Sequence, residues 1–314
     1  MPQITFMDQI TPETPKWLWY PYIPQGKITI IQGDPGEGKS TFALHIAAAV
    51  SNGLVLPENR VKEHLGDYVI YQNAEDGYAD TILPRLIRSH AERSFIMCIN
   101  NSEPVSFSGS EIPDLIRKYS VRLFVLDPIQ AYLGAGIDMH RANEVRPFMA
   151  RLSQIAADTD CAIVLIGHMN KGTKNKDIYR SLGSIDIPAA ARSILTVSRD
   201  AADKSVRIVR QIKNSLAELA EPAAFRLDDT GALEWLGAYT PAPEESPDAE
   251  RPASVAAKAE ALLREWLEKE QPLYARDFYG IAQSEGFTRM AIHRAKNQLG
   301  LRTVKTDKGW IWTY

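Results

Sequence analysis

Residues 33 to 41 form the part of this sequence whose chemistry is easiest to define. The segment matches the pattern G-x-x-x-x-G-K-[ST] and reads Gly33-Asp34-Pro35-Gly36-Glu37-Gly38-Lys39-Ser40-Thr41. A glycine-rich turn that enters a helix points several backbone N–H groups at one place, where the helix dipole also favours negative charge. We therefore predict that this segment binds the phosphates of ATP. Lys39 is expected to contact the β- and γ-phosphates, and the Ser40 hydroxyl to help hold Mg²⁺.

The elements on either side of the phosphate-binding loop fit this prediction. The apolar run at 28–32 is typical of a buried strand, and residues 41–49 are typical of a helix. Strand, glycine-rich turn and helix is the order in which such loops occur. A chance match is therefore the weaker interpretation.

ATP hydrolysis needs carboxylates as well as a phosphate-binding loop. Asp127 closes the apolar run 121–126, so we expect it to reach the metal from the end of a strand. Glu75 follows the short strand 68–71, which we place beside the strand that precedes the phosphate-binding loop. Glu75 is the candidate to deprotonate the attacking water, and the adjacent Asp76 is the alternative. Both acids capping the next helix is the structural alternative.

Other polar side chains could complete a hydrolytic site. His168 ends the apolar run 162–166, where it could sense the γ-phosphate or its attacking water; a purely structural histidine is the alternative. Cations in the late strands could stabilise the transition state from a neighbouring subunit, as arginine fingers do. The three candidates for that role are Arg207, Arg210 and Lys213.

The spacing of apolar residues predicts the fold class. Strands and helices alternate up to about residue 170, which indicates an α/β fold with a mostly parallel, helix-covered sheet. The later runs 193–198, 206–212 and 223–227 alternate like antiparallel strands. Residues 1–26 contain prolines and aromatic side chains and are expected to pack as a lead-in against the first strand.

A second, smaller domain is expected after a linker. Residues 239–254 are rich in proline and acidic residues, as solvated linkers are, so we place an ATPase domain at 1–238 and a tail domain at 255–314. Three helical segments and a terminal hairpin predict a winged helix in the tail. From residue 286 onward six lysines and arginines face one acid, which fits binding to duplex DNA. The tail residues proposed to contact DNA are Arg289, Arg294, Lys296 and Lys305.

Composition sets broad limits. The chain has 314 residues, a formal net charge of −3 and two cysteines. Two cysteines do not indicate a disulfide framework, and no apolar run approaches the ~20 residues that a membrane span needs. We therefore expect a cytoplasmic protein.

Taken together, these motifs resemble the RecA-like AAA ATPases of the plasmid RepA and DnaB-type helicase group. Besides the phosphate-binding loop, the resemblance rests on 17–19, 73–76, 125–127, 167–172, 180–184 and 213–214, within residues 15–235. It implies a ring, usually hexameric, with ATP at the subunit interfaces and DNA in the central channel. It also implies that Glu75 is the catalytic carboxylate and His168 the sensor. The basic loop 171–184 would contact nucleic acid through Lys171, Lys174, Lys176 and Arg180.

Two functions fit these predictions. The first is a DNA-binding, ATP-hydrolysing motor, such as a replicative helicase of a phage, plasmid or integrated element. The alternative is an ATP-switched DNA-binding regulator without unwinding activity. A tail domain is not part of the minimal helicase, and this keeps the second function open.

Overall fold

The computed structural model describes residues 4–55, 60–61, 66–100, 105–133, 141–168, 186–228, 231–241, 255–269 and 273–313. The chain divides into two compact units, Met1–Ala242 and Pro243–Tyr314. In the described part, no helix is both long and apolar enough to cross a membrane.

The first unit alternates strands and helices as the sequence predicts. In chain order its elements are β1 (Trp17–Trp19), β2 (Ile23–Pro24), β3 (Ile28–Gly33), α1 (Lys39–Ser51), β4 (Leu54–Val55), β5 (Arg60–Val61), β6 (Val69–Asn73), α2 (Leu83–Arg88), β7 (Ile96–Met97), α3 (Glu111–Tyr119), β8 (Leu123–Asp127), α4 (Ala142–Thr159), β9 (Ala162–His168), α5 (Asp186–Ala190), β10 (Ser193–Arg199), β11 (Val206–Asn214), β12 (Ala223–Leu227) and β13 (Leu233–Ala238). A π-helical turn, Tyr78–Ile82, precedes α2.

Nine of these strands form one sheet in the described residues, in the order β13-β12-β11-β10-β3-β9-β8-β6-β7. The strands from β10 to β7 pair in parallel, whereas β10 to β13 pair antiparallel. The predicted fold class, a mostly parallel α/β sheet with a late antiparallel section, is confirmed. Parallel pairing brings the carboxyl ends of β3, β9, β8 and β6 to one edge, where open α/β sheets bind ligands.

One expected neighbour is wrong. The strand that leads to Glu75, β6, does not lie beside β3, because β9 and β8 stand between them. All four strands are buried and apolar, so their side-chain patterns do not specify which of them pair. Glu75 still reaches the edge at which β3 ends.

Apolar side chains cover both faces of the sheet. On one face Trp19 of the lead-in and Phe42 of α1 are both 1% exposed, and their ring centroids lie 5.9 Å apart. On the other face Met149 and Leu152 of α4 pack against the sheet. The lead-in therefore contributes to the core, as the sequence predicts.

The second unit has its own core. Its elements are α6 (Val255–Lys269), β14 (Leu273–Tyr274), α7 (Ala275–Ser284), α8 (Arg289–Gln298), β15 (Arg302–Thr306) and β16 (Gly309–Thr313). The three strands form an antiparallel sheet in the order β14-β16-β15. Phe278 and Ile292 are fully buried beneath it. As predicted, Thr288 caps α8, since its hydroxyl accepts a hydrogen bond from the Ala291 N–H at 3.3 Å.

Candidate nucleotide site

The backbone of the phosphate-binding loop is held open by two glycines. Gly36 and Gly38 have φ angles of +79° and +89°, in the left-handed region that favours glycine. Gly38 is the N-cap of α1, and its carbonyl accepts a hydrogen bond from the Phe42 N–H at 2.9 Å. The first N–H groups of α1 have no acceptor within the helix, so they can bind an anion.

A third glycine sits where the loop leaves the sheet. A Cβ atom at Gly33 would lie 2.2 Å from the carbonyl oxygen of Val197 on β10, closer than two such atoms can approach. Glycine at position 33 therefore lets β3 and β10 stay paired up to the point where the loop begins.

Lys39 is buried at the base of the loop, with 4% of its surface exposed. Its ammonium group donates a hydrogen bond to the carbonyl oxygen of Asp34 at 2.8 Å. Burial lowers the pKa of Lys39, and the nearby carboxylates of Asp127 and Asp34 oppose that shift. A buried ammonium next to open N–H groups is suited to bind phosphate oxygens.

Asp127 lies at the end of β8 and is 3% exposed. Its Oδ2 accepts a hydrogen bond from the Tyr71 hydroxyl at 2.6 Å, and its carboxylate also accepts one from the Ser40 hydroxyl. Burial raises the pKa of Asp127, while the bonds from Tyr71 and Ser40 favour the ionised form. A carboxylate and a hydroxyl in contact supply the oxygen ligands that Mg²⁺ prefers, so these residues fit the metal expected from the sequence.

The structure separates the two acids after β6. The side-chain oxygen of Asn73 accepts hydrogen bonds from the N–H groups of Glu75 and Asp76 at 2.9 and 2.7 Å, which fixes the turn. Asp76 then forms an ion pair with Arg85 of α2 at 3.0 Å. The Glu75 carboxylate instead lies 3.8 Å from Nε2 of His168 and is 60% exposed. Glu75 is thus the acid that is placed toward the end of β9.

His168 is paired in register with Gly33, so it lies directly beside the start of the phosphate-binding loop. Its Nδ1 is buried and has no hydrogen-bond partner among the described residues. The imidazole therefore bridges the space between the loop and Glu75. Such a position suits a side chain that responds to the terminal phosphate.

Sequence reasoning missed three side chains that support the site. Tyr71 holds Asp127, and Asn73 shapes the turn that carries Glu75. Arg199, at the end of β10, donates a hydrogen bond to the carbonyl of Gly36 at 3.1 Å and lies 3.5 Å from the Glu37 carboxylate. Tyr71 and Asn73 lie on or next to the predicted strand before Glu75, but nothing local in the sequence marks Arg199.

The finger candidates differ in their surroundings. Arg207 is 8% exposed and donates to the carbonyl of Lys204 at 2.6 Å; burial lowers its pKa. It pairs with Arg199, so it lies at the phosphate-loop end of β11. Lys213 lies at the opposite end and donates to the carbonyl of Pro188 at 2.8 Å. Arg210 stands between them and is partly exposed.

The expected DNA contacts fall into two groups. Lys171, Lys174, Lys176 and Arg180 lie outside the described residues. In the second unit, the four predicted residues are on α8 and the hairpin, where Arg289, Arg294 and Lys305 are exposed and Lys296 is partly buried.

The comparisons with known proteins agree with this geometry. A family model described as "AAA domain" matches residues 3–174, which contain the phosphate-binding loop, Glu75, Asp127 and His168. The chain belongs to this family. Its AAA domain is a RecA-like P-loop ATPase domain, and a nucleotide is the ligand that the family implies.

Similar curated proteins include the DNA repair protein RadA. The match is 24% identical over 67% of this chain for Mycobacterium tuberculosis and 26% identical over 68% for Bacillus subtilis. The chain spans 39% and 42% of those proteins. The DNA repair and recombination protein RadB of Methanobrevibacter smithii is 29% identical over 67% of this chain, and 89% of RadB is covered.

A solved structure supports the fold of the AAA domain. The ATPase domain of a DnaB-like helicase superposes with a TM-score of 0.52 at 15% identity, covering 68% of this chain and 86% of that one. At this identity the likeness concerns the fold alone.

Proposed function

We propose that this protein is an ATP-hydrolysing, DNA-binding oligomeric motor that acts in replication, recombination or repair, similar to RepA-type helicases. The observation that carries the proposal is the meeting of Lys39, Asp127 and Glu75 at one edge of the sheet. Two of these residues are buried, and the third is exposed beside His168. That arrangement serves hydrolysis better than nucleotide storage.

Each residue has a defined part in the proposed reaction. The loop N–H groups and Lys39 bind the phosphates of ATP, and Ser40 with Asp127 would hold Mg²⁺, which neutralises charge on the transferred phosphoryl group. Glu75 orients the attacking water and accepts its proton. His168, 3.8 Å from Glu75, transmits the state of the γ-phosphate to the chain that follows β9.

The names of the similar proteins support DNA as the partner. RadA is named a DNA repair protein, and RadB a DNA repair and recombination protein. We propose that the loop after β9, with Lys171, Lys174, Lys176 and Arg180, contacts single-stranded DNA in the channel of a ring. The ring is proposed to be a hexamer in which Arg210 or Lys213 completes the neighbouring site; Arg207 is less suited, because its guanidinium is buried within its own unit.

We further propose that residues 239–254 are a linker and residues 255–314 a winged helix that binds duplex DNA. Three helices, an antiparallel sheet and the exposed cations Arg289, Arg294 and Lys305 support this. The same unit favours the second candidate function, an ATP-switched regulator in which the tail selects the DNA target.

The rate of ATP hydrolysis, with and without single-stranded DNA, separates these functions. A motor predicts stimulation by single-stranded DNA in the full chain and also after deletion of residues 240–314. The regulator predicts no stimulation in the truncated chain. It also predicts sequence-selective duplex binding that is lost when Arg294→Ala and Lys296→Ala are combined. Lys39→Ala is the control that abolishes turnover under both.

A further inference from the structure

A groove in the second unit lies between the two helices α7 and α8 and the hairpin of β15 and β16. Its cavity volume is about 1060 Å³. Trp310, Trp312 and Tyr274 contribute aromatic surface, and His293, Lys296 and Lys308 contribute polar and basic surface. The groove therefore combines flat rings with groups that bind anions.

Its two tryptophans have different surroundings. Trp312 is 4% exposed, and its ring centroid lies 5.2 Å from that of Tyr279 and 5.8 Å from that of Phe278. Trp310 projects from the same face of β16, two residues away, but it is 54% exposed. One indole is thus anchored in the core, and the next offers an aromatic surface to a ligand.

Cations surround the exposed indole. Lys305 pairs with Trp310 across the hairpin, and its ammonium lies 5.9 Å from the Trp310 ring centroid. Lys296 bonds to the Thr303 hydroxyl and lies 5.9 Å from the Trp312 ring centroid. Asp277 is the acidic side chain that lines the same groove in the described residues. Positive groups outnumber it, so the groove attracts a polyanion.

We propose that this groove binds a single-stranded segment of DNA, with one unstacked base lying on Trp310 and its flanking phosphates close to Lys296, Lys305 and Lys308. The inference deepens the proposed function, since it depends on DNA being the partner of the second unit. Bases in a duplex are stacked on each other and offer no face to an indole, whereas an unpaired base does. An acidic peptide would satisfy the cations but would gain no stacking.

The test uses the full-length protein without nucleotide and two DNA probes of equal duplex length. One is blunt, and the other carries a single-stranded overhang that contains 2-aminopurine, whose fluorescence falls when it stacks. Binding is measured by anisotropy, and stacking by quenching. Trp310→Leu should weaken binding of the overhang probe by about 5- to 100-fold, the range for one base–aromatic stack, and should abolish its quenching. Trp310→Phe should restore part of both.

A matched control lies on the other face of the hairpin. Val304 is 43% exposed, and it pairs with Ile311, which lies between the two tryptophans. Val304→Ala should therefore leave binding and quenching unchanged. Binding of the blunt probe should be the same in all variants. Thermal unfolding of each variant shows that the groove is still folded.

Other outcomes would overturn the inference. Equal overhang binding and quenching in wild type and Trp310→Leu would show that the indole does not stack on DNA. Loss of polyglutamate binding in Trp310→Leu, with DNA binding intact, would assign the groove to an acidic peptide. Either result would leave the motor function standing if single-stranded DNA still stimulated hydrolysis. Absence of that stimulation in the wild type would instead remove the motor, whatever Trp310 did.

Discussion

The hydrogen bond from Tyr71 to Asp127 offers the sharpest test of the nucleotide site. Tyr71 is 1% exposed, and its hydroxyl lies 2.6 Å from Oδ2 of a carboxylate that is also buried. Tyr71→Phe removes the hydroxyl and keeps the ring, so packing is preserved. A buried hydrogen bond to a charged group contributes about 1.5–3 kcal/mol, and we expect the free energy of unfolding to fall by that amount.

The same change should alter how the site uses Mg²⁺. Burial already raises the pKa of Asp127, and the Tyr71 hydroxyl is one of two groups that lower it again. Without that hydroxyl the pKa rises further, so a smaller fraction of Asp127 is ionised at any acidic pH. The acid limb of the rate profile should therefore move to higher pH. The Mg²⁺ concentration for half-maximal rate at the acid limb should rise by about 10- to 100-fold.

A matched substitution separates this effect from general loss of stability. Tyr22 is also buried, and its hydroxyl donates to the carbonyl of Glu221 at 3.1 Å, in a bond that involves neither Asp127 nor Ser40. Tyr22→Phe should cost about 0.5–1.5 kcal/mol of stability and leave the Mg²⁺ and pH profiles unchanged. Unmoved profiles in Tyr71→Phe, measured by steady-state ATP hydrolysis, would show that Tyr71 serves packing alone.

Three further predictions concern the acids, the loop and the core. Glu75→Gln should lower kcat by about 10²- to 10⁴-fold, because the general base is lost, whereas Asp76→Asn should keep most of the turnover, since Asp76 pairs with Arg85; equal losses in a steady-state assay would return the assignment to either acid. Gly33→Ala should weaken nucleotide binding, measured with a fluorescent ATP analogue, because the new methyl group would meet the Val197 carbonyl at 2.2 Å; unchanged affinity would mean that β10 yields there at no cost. Phe42→Ala should lower the free energy of unfolding by about 3–5 kcal/mol in urea, because the Phe42 ring stacks on Phe225 at 5.3 Å within the core; a loss below about 1 kcal/mol would show that the neighbouring rings refill the space.

Local features of the sequence predicted most of the elements. The phosphate-binding loop, α3 at 111–119 and α7 at 275–284 have the predicted bounds, because capping, glycine and helical spacing are encoded by neighbouring residues. Residues 94–99 fit less well to the predicted strand. They begin with a 3₁₀ turn, Arg93–Phe95, and contribute only the two residues Ile96–Met97 to the sheet.

The sequence by itself determined that this protein has a phosphate-binding loop and which acids and histidine compete to serve it, since each of those signals lies within one short segment. Only the tertiary structure decided that Glu75, rather than Asp76, is placed beside His168, and that β9 and β8 separate β6 from β3. The same holds for Tyr71 and Arg199, which support the site from other strands. The physical reason is that parallel strands pair over long sequence separations, and buried apolar strands resemble each other too closely to specify their neighbours.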